Sequence, residues 1–213
     1  MLECCVPNRH LNNKLLSPAE SRSYFSTAAI QTSPLILGND LTAMDQACLD
    51  VIGNAEIIAL NQDARVSRAK LVYQWPMAEW PHANDLPPLP LPSTLHNADH
   101  DGNGLTAAAA AAAAGSKDAP VNISLQAWSK PLADGSVGVV AFNRGGGGAA
   151  GTAASVNITW SMIGLADDVT AGVRDLWAHA ERGSHTGWHM CENIASHDVC
   201  ALKITPQKTE KVE

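Results

Sequence analysis

The hydrophobic pattern of this chain changes its period at about residue 65. Before that point it is helical. Ser17-Pro18-Ala19-Glu20 reads as a helix start, with a capping serine, a proline at the first helical position and a glutamate that completes a capping box. This helix carries Tyr24, Phe25, Ala28 and Ala29 and has to stop by Pro34. The apolar run from Leu35 to Gly38, followed by Asn39 and Asp40, predicts a short strand buried on both faces, as in a parallel sheet. A second helix is expected from about Thr42, with Leu41, Met44, Cys48, Val51 and Ile52 at helical spacing. Gly53-Asn54 interrupts it, and the segment NAEIIALNQD adds another short helix or turn. The passage is α–β–α.

After residue 65 the period becomes two. Val121, Ile123, Leu125 and Ala127 alternate with Asn122, Ser124, Gln126 and Trp128. Val156, Ile158, Trp160 and Met162 alternate with Asn157, Thr159 and Ser161. The stretch SVGVVAFN is more uniformly apolar, which predicts a central strand, and Asp134-Gly135 marks a turn before it. These runs imply antiparallel β structure in two packed sheets. Residues 82–119 form a low-complexity insertion, with the extended DLPPLPLP and an alanine run from Ala107 to Ala114, and are expected to be disordered. RGGGGAAGTAA, at residues 144–154, is a second loop of this kind.

Composition narrows the classes. The chain has 213 residues, 46% of them apolar, enough for a core. A net charge of −7 argues against a nucleic acid partner. No apolar run approaches the roughly 18 residues of a membrane helix, so no membrane partner is expected. The start MLECCVPNRH lacks the apolar region of a signal peptide. Cys4, Cys5, Cys48, Cys191 and Cys200 are spaced neither as a disulfide framework nor as a metal motif.

Six stretches resemble a known family in that family's order. LSPAESRSYFSTAAIQTSPLILGNDL and NAEIIALNQD are similar to the end of the catalytic barrel of glycoside hydrolase family 27, the α-galactosidases. LQAWSKPLADGSVGVVAFNRG, VNITWSMIGL, and VRDLWAH with SHDVCALKITP resemble its C-terminal β domain. The resemblance implies an α/β remnant of a (β/α)8 barrel over residues 1–64, followed by an antiparallel β sandwich over residues 65–213, mostly β overall. It implies no cofactor, an α-galactoside as substrate of the complete protein, and a secreted, vacuolar or lysosomal location. The sequence carries no sign of oligomeric state.

The resemblance also implies where the chemistry lies. The family's nucleophile aspartate ends its fourth barrel strand, and its acid/base aspartate follows the sixth. A third aspartate, which holds sugar hydroxyls, ends the seventh strand just before a Met-Leu-Glu type run. Met1-Leu2-Glu3 then places Met1 directly after that third aspartate, as this chain's candidate substrate-contacting residue. All the pocket acids are thus expected upstream of Met1, as in a fragment or a truncated gene model. Residues 4–14 depart from the family's glycine-bearing loop.

Could other carboxylates stand in? A retaining glycosidase needs two carboxyl groups ~5 Å apart. Asp40 reads as a loop-to-helix hydrogen-bonding residue. Asp45 reads as the far member of a Thr42-x-x-Asp45 cap beside the positive end of a helix. No catalytic residue is assigned.

Other constellations carry less. Asp99, Asp101 and Asn103 match half of a calcium loop, but Ala110 stands where the closing glutamate belongs, so no metal is assigned. His185, His189, Cys191, His197 and Cys200 fit no zinc pattern. If Trp188, Met190 and Ile194 face the core, Cys191 and Cys200 point to opposite faces, which argues against both zinc and a disulfide unless a bulge intervenes. Of the tryptophans, Trp128 alone lies on the polar face of its strand, placed to pack on the barrel or to meet a sugar. Asn122 and Asn157 open N-x-S/T triplets on polar strand faces and are candidate glycosylation sites in a secretory pathway.

Two functions follow. One is the C-terminal part of a retaining α-galactosidase, inactive alone. The other is a non-catalytic sandwich that supports a barrel or binds carbohydrate. An in-frame continuation upstream of Met1 into an aspartate-bearing barrel separates them.

Overall fold

The computed structural model describes residues 16–38, 44–75, 125–145 and 153–207. Among these residues three α-helices come first: α1 (Pro18–Ile30), α2 (Gln46–Ile52) and α3 (Ala55–Asn61). Eight strands follow: β1 (Lys70–Trp75), β2 (Leu125–Pro131), β3 (Val137–Asn143), β4 (Ala154–Thr159), β5 (Thr170–Asp175), β6 (Ala180–Thr186), β7 (Trp188–Ile194) and β8 (Val199–Pro206).

Each helix start has a side-chain cap. Ser17 and Glu20 form the expected capping box on α1. Asp45 caps α2 by accepting from the Cys48 amide at 2.8 Å. It is therefore the N-cap itself, and α2 starts at Gln46, later than the Thr42 start that the pattern predicted. Asn54 caps α3 through the Glu56 and Ile57 amides.

The strands form a six-stranded sheet in the order β1-β2-β3-β8-β5-β6 and a two-stranded sheet of β4 and β7. Every pairing is antiparallel. The expected two packed sheets are present, and β3 is central, between β2 and β8. Its uniform apolarity has a direct cause, because both faces are buried. Val139 and Ala141 join the core against the small sheet, with Ile158, Trp160, Val173 and Leu202. Val140 joins a second core under the helices, with Phe25, Ile30, Ile57 and Leu60. Gly138 leaves room for Leu60, since a side chain there would collide with the Leu60 methyl.

The strand expected at residues 35–38 is a single bridge residue, Leu37, within an extended segment. Ile36 is 60% exposed, so the double-sided burial expected of a parallel strand is absent. A parallel strand is buried by strands beside it and helices on both its faces. No helix–strand–helix layer surrounds this segment among the described residues.

Candidate functional site

The polar side chains that join distant elements gather where the helices meet the six-stranded sheet. Lys130, on β2, is wholly buried, and its Nζ donates to Leu60 O at 2.7 Å and to Thr32 Oγ1 at 2.9 Å. The carbonyl groups at the end of α3 carry the partial negative charge of the helix, so the ammonium serves as its cap. Burial holds the Lys130 pKa below the ordinary lysine value, with Asp63 opposing that shift. Thr32, its other partner, has a left-handed backbone (φ 56°).

Ion pairs lie on both flanks of this contact. Arg174 of β5 donates from Nε and Nη2 to the two oxygens of Glu56 on α3, each at 2.7 Å. His179 Nδ1 lies 2.7 Å from the same carboxylate. Arg174 holds the Glu56 carboxyl below the usual range, since the hydrogen bonds favour its charged form. On the other flank, Arg22 of α1 grips Asp198 through bonds of 3.1 and 2.6 Å, and Ser23 donates to His197 O at 2.6 Å. Trp177 Nε1 donates to Ser26 Oγ at 2.9 Å, and Asn54 Nδ2 to Leu176 O at 3.0 Å. Bidentate and part-buried pairs of this kind fix an orientation better than they add stability.

A cleft of about 1420 Å³ runs from α2 to β7, with Arg22, Asp50, Asp175, Arg182, His189 and Glu192 on its walls. The His185 and His189 rings meet edge to face with centroids 4.5 Å apart. Burial, with His185 and Arg182 nearby, lowers the His189 pKa. Two acids of this region already have partners: Asp175 accepts from the Trp177 and Ala178 amides and from Arg182. The Gln46 amide donates to Asp50.

Several sequence-predicted residues can now be placed. Asp45 is a helix cap. Asn39, Asp40, Met1, Asn122 and the Asp99–Asn103 loop lie outside the described residues. Trp128 packs against the core beneath the helices. Among the described residues the exposed tryptophan is instead Trp188, at 51%. This reverses the expected phase over the first part of β7: Cys191 is buried and Trp188 points outward, while Ile194 is buried as expected.

Cys191 and Cys200 form a disulfide, with Cα atoms 6.1 Å apart, contrary to the reading that set them on opposite faces. That reading treated β7 and β8 as a simple return. In fact β7 pairs with β4, and the register shifts between Ala154 and Val156. Asn193, in that stretch of β7, has φ 52°. Such an irregularity re-aims one side chain, so Cys191 turns inward and bridges the two sheets. The bond also removes both sulfurs from any zinc site.

Lys130 and the Glu56–Arg174 pair were not singled out by the sequence. Their one signal was a lysine inside an otherwise well-buried strand pattern.

The comparisons with known proteins agree with this architecture. Residues 122–204 match the family described as the alpha galactosidase C-terminal beta sandwich domain. The chain is 29% identical to an alpha-galactosidase of Cyamopsis tetragonoloba over 92% of this chain and 35% of that protein. It is 27% identical to an alpha-galactosidase of Oryza sativa subsp. japonica over 92% of this chain and 34% of that protein. Among solved structures, alpha-galactosidase I from Mortierella vinacea matches with a TM-score of 0.59 and 22% identity, over 89% of this chain and 36% of that one. An alpha-galactosidase from Saccharomyces cerevisiae with raffinose matches with a TM-score of 0.60 and 16% identity, over 96% of this chain and 46% of that one. The likeness to these structures is one of fold. The chain spans about a third of the length of the curated relatives it matches. It resembles the C-terminal part of an α-galactosidase along nearly its whole length.

Proposed function

We propose that this chain is the supporting C-terminal part of a retaining α-galactosidase. The complete protein removes terminal α-galactosyl residues from oligosaccharides or glycoconjugates, and residues 1–213 alone do not. The carrying observation is that most of the described carboxylates have structural partners. Glu20 and Asp45 cap helices, Glu56 and Asp198 grip arginines, and Asp134 pairs with Lys203. A retaining mechanism needs one free nucleophilic carboxylate and one acid/base partner across a sugar pocket. Carboxylates held by structural bonds serve neither role.

In this reading the sandwich holds the helical segment in a fixed orientation, and that segment continues the wall of the catalytic barrel. Positioning is the contribution, since misplacing reacting groups by about 1 Å can cost ~10²-fold in rate. The family match over residues 122–204 and the α-galactosidase relatives support the assignment. The Cys191–Cys200 disulfide suits a secreted or vacuolar protein, because cytosolic thiols are kept reduced.

A chimera tests this reading. Residues 1–213 replace the matching C-terminal third of the Cyamopsis enzyme, behind that enzyme's own upstream region. The expected result is hydrolysis of a chromogenic α-galactoside. A soluble, folded chimera without hydrolysis counts against the proposal.

A further inference from the structure

The small sheet has an outer face as well as an inner one. Ala154, Val156 and Ile158 of β4 and Cys191 of β7 point into the core. The residues between them point away from it. On that outer face Asn157 lies directly opposite Met190, and Thr159 opposite Trp188. Asn157-Ile158-Thr159 is an acceptor triplet for N-linked glycosylation. Trp188 is the diagonal neighbour of Asn157, a spacing of about 7–8 Å that an aromatic side chain can bridge.

Asn157 itself is partly exposed on this face, although its amide oxygen is buried. Two independent observations point the same way. Trp188 is 51% exposed, a large aromatic face left to solvent beside the triplet. The Cys191–Cys200 disulfide, whose Cys191 lies on the same strand as Trp188, fits a chain that passes through an oxidising compartment, where this modification is made.

We propose that Asn157 carries an N-linked glycan whose first N-acetylglucosamine lies on the indole of Trp188. The step is a glycosyl transfer. Nδ2 of Asn157 bonds to the anomeric carbon of a lipid-diphosphate-linked oligosaccharide. The carbon–oxygen bond to the diphosphate breaks, the diphosphate leaves with the electron pair, and Nδ2 gives up one proton. The apolar C–H face of the sugar then covers the indole, whose exposure is otherwise unfavourable. The inference is independent of the galactosidase reading.

The test is made on the full chain secreted from a eukaryotic host. Enzymatic deglycosylation in heavy-oxygen water, followed by peptide mapping, should label Asn157, and Thr159→Ala should abolish the label. Asn157→Gln should lower the thermal midpoint by about 2–4 °C, the size expected of one aromatic contact in a chain of this length. It should lower it little in the Trp188→Ala background, and little in protein made in bacteria. Unmodified Asn157 in secreted, disulfide-bonded protein overturns the site. An equal shift with and without Trp188 overturns the contact.

Discussion

The buried ammonium of Lys130 lies 2.7 Å from the carbonyl oxygen of Leu60, at the end of α3. One bond thus ties the second strand of the sheet to the last helix before it. Around it the helices close over the sheet through Phe25, Ile30, Ile57 and Val140. The orientation of helices to sheet is therefore set by a buried cation inside an apolar contact, with ion pairs at the rim.

Replacing Lys130 with methionine keeps the stem and removes the donors. The Leu60 carbonyl then loses that partner in a buried place, while the Thr32 hydroxyl keeps its bond to Ser67 O. The expected cost is about 1–3 kcal/mol for a buried group left unsatisfied. Lys130→Ala adds a cavity and should cost more. Chemical denaturation at neutral pH measures both, and a methionine variant as stable as the native protein contradicts the capping role.

Trp160 is wholly buried between the sheets, and its indole N–H donates to Val169 O at 2.8 Å. Trp160→Ala should cost about 3–5 kcal/mol, as is usual for emptying an aromatic site. Trp160→Phe keeps most of the packing but orphans the carbonyl, so it should fall well short of that loss. Calorimetric midpoints rank the two.

The disulfide closes a short loop, with a sequence separation of 9 between Cys191 and Cys200. Loop closure of this length is worth about 2–3 kcal/mol in the chain-entropy view. Replacing both residues with serine should lower stability by that order. Mass mapping of unreduced peptides should recover the Cys191–Cys200 pair.

Asp134 sits 2.6 Å from Lys203 and also accepts from Ser136, with Lys203 the larger influence. Together they lower its pKa to about 2. The folded value lies below the unfolded one, so the stabilisation is complete above about pH 4. It fades as pH falls through about 2. The pair is half exposed, and screening keeps its worth at or below about 1 kcal/mol. A carboxyl-carbon NMR titration should find the low midpoint, and Lys203→Ala should move it back toward the ordinary range.

Much of this architecture was legible in local chemistry. The Ser17–Glu20 capping box and the turn at Asp134-Gly135 are decided within a few residues. So is the central place of the Val137–Asn143 strand, whose apolarity reports burial on both faces. The misreadings involve long-range choices. Leu35–Leu37 has a strand's composition, but a strand needs neighbours, and the pattern cannot supply them. Trp188 and Met190 look like core residues by type, yet the pairing of β7 with β4 turns them outward. The irregular backbone near Asn193 then carries Cys191 to Cys200. Lys130 went unnoticed because burial of a lysine depends on the end of a helix about seventy residues earlier. The catalytic question was legible through the family resemblance rather than through any local pattern, and Asp45 already read as part of a helix cap.

The central claim is that residues 1–213 support a galactosidase without containing its chemistry. The direct measurement is turnover of a chromogenic α-galactoside by the purified, folded chain at mildly acidic pH. On that claim the chain holds neither nucleophile nor acid/base partner, so neither the covalent intermediate nor leaving-group protonation is available to it. The account predicts release indistinguishable from buffer. Turnover above the blank that disappears in Asp40→Asn would contradict it and make the end of the Leu35–Gly38 segment an active site.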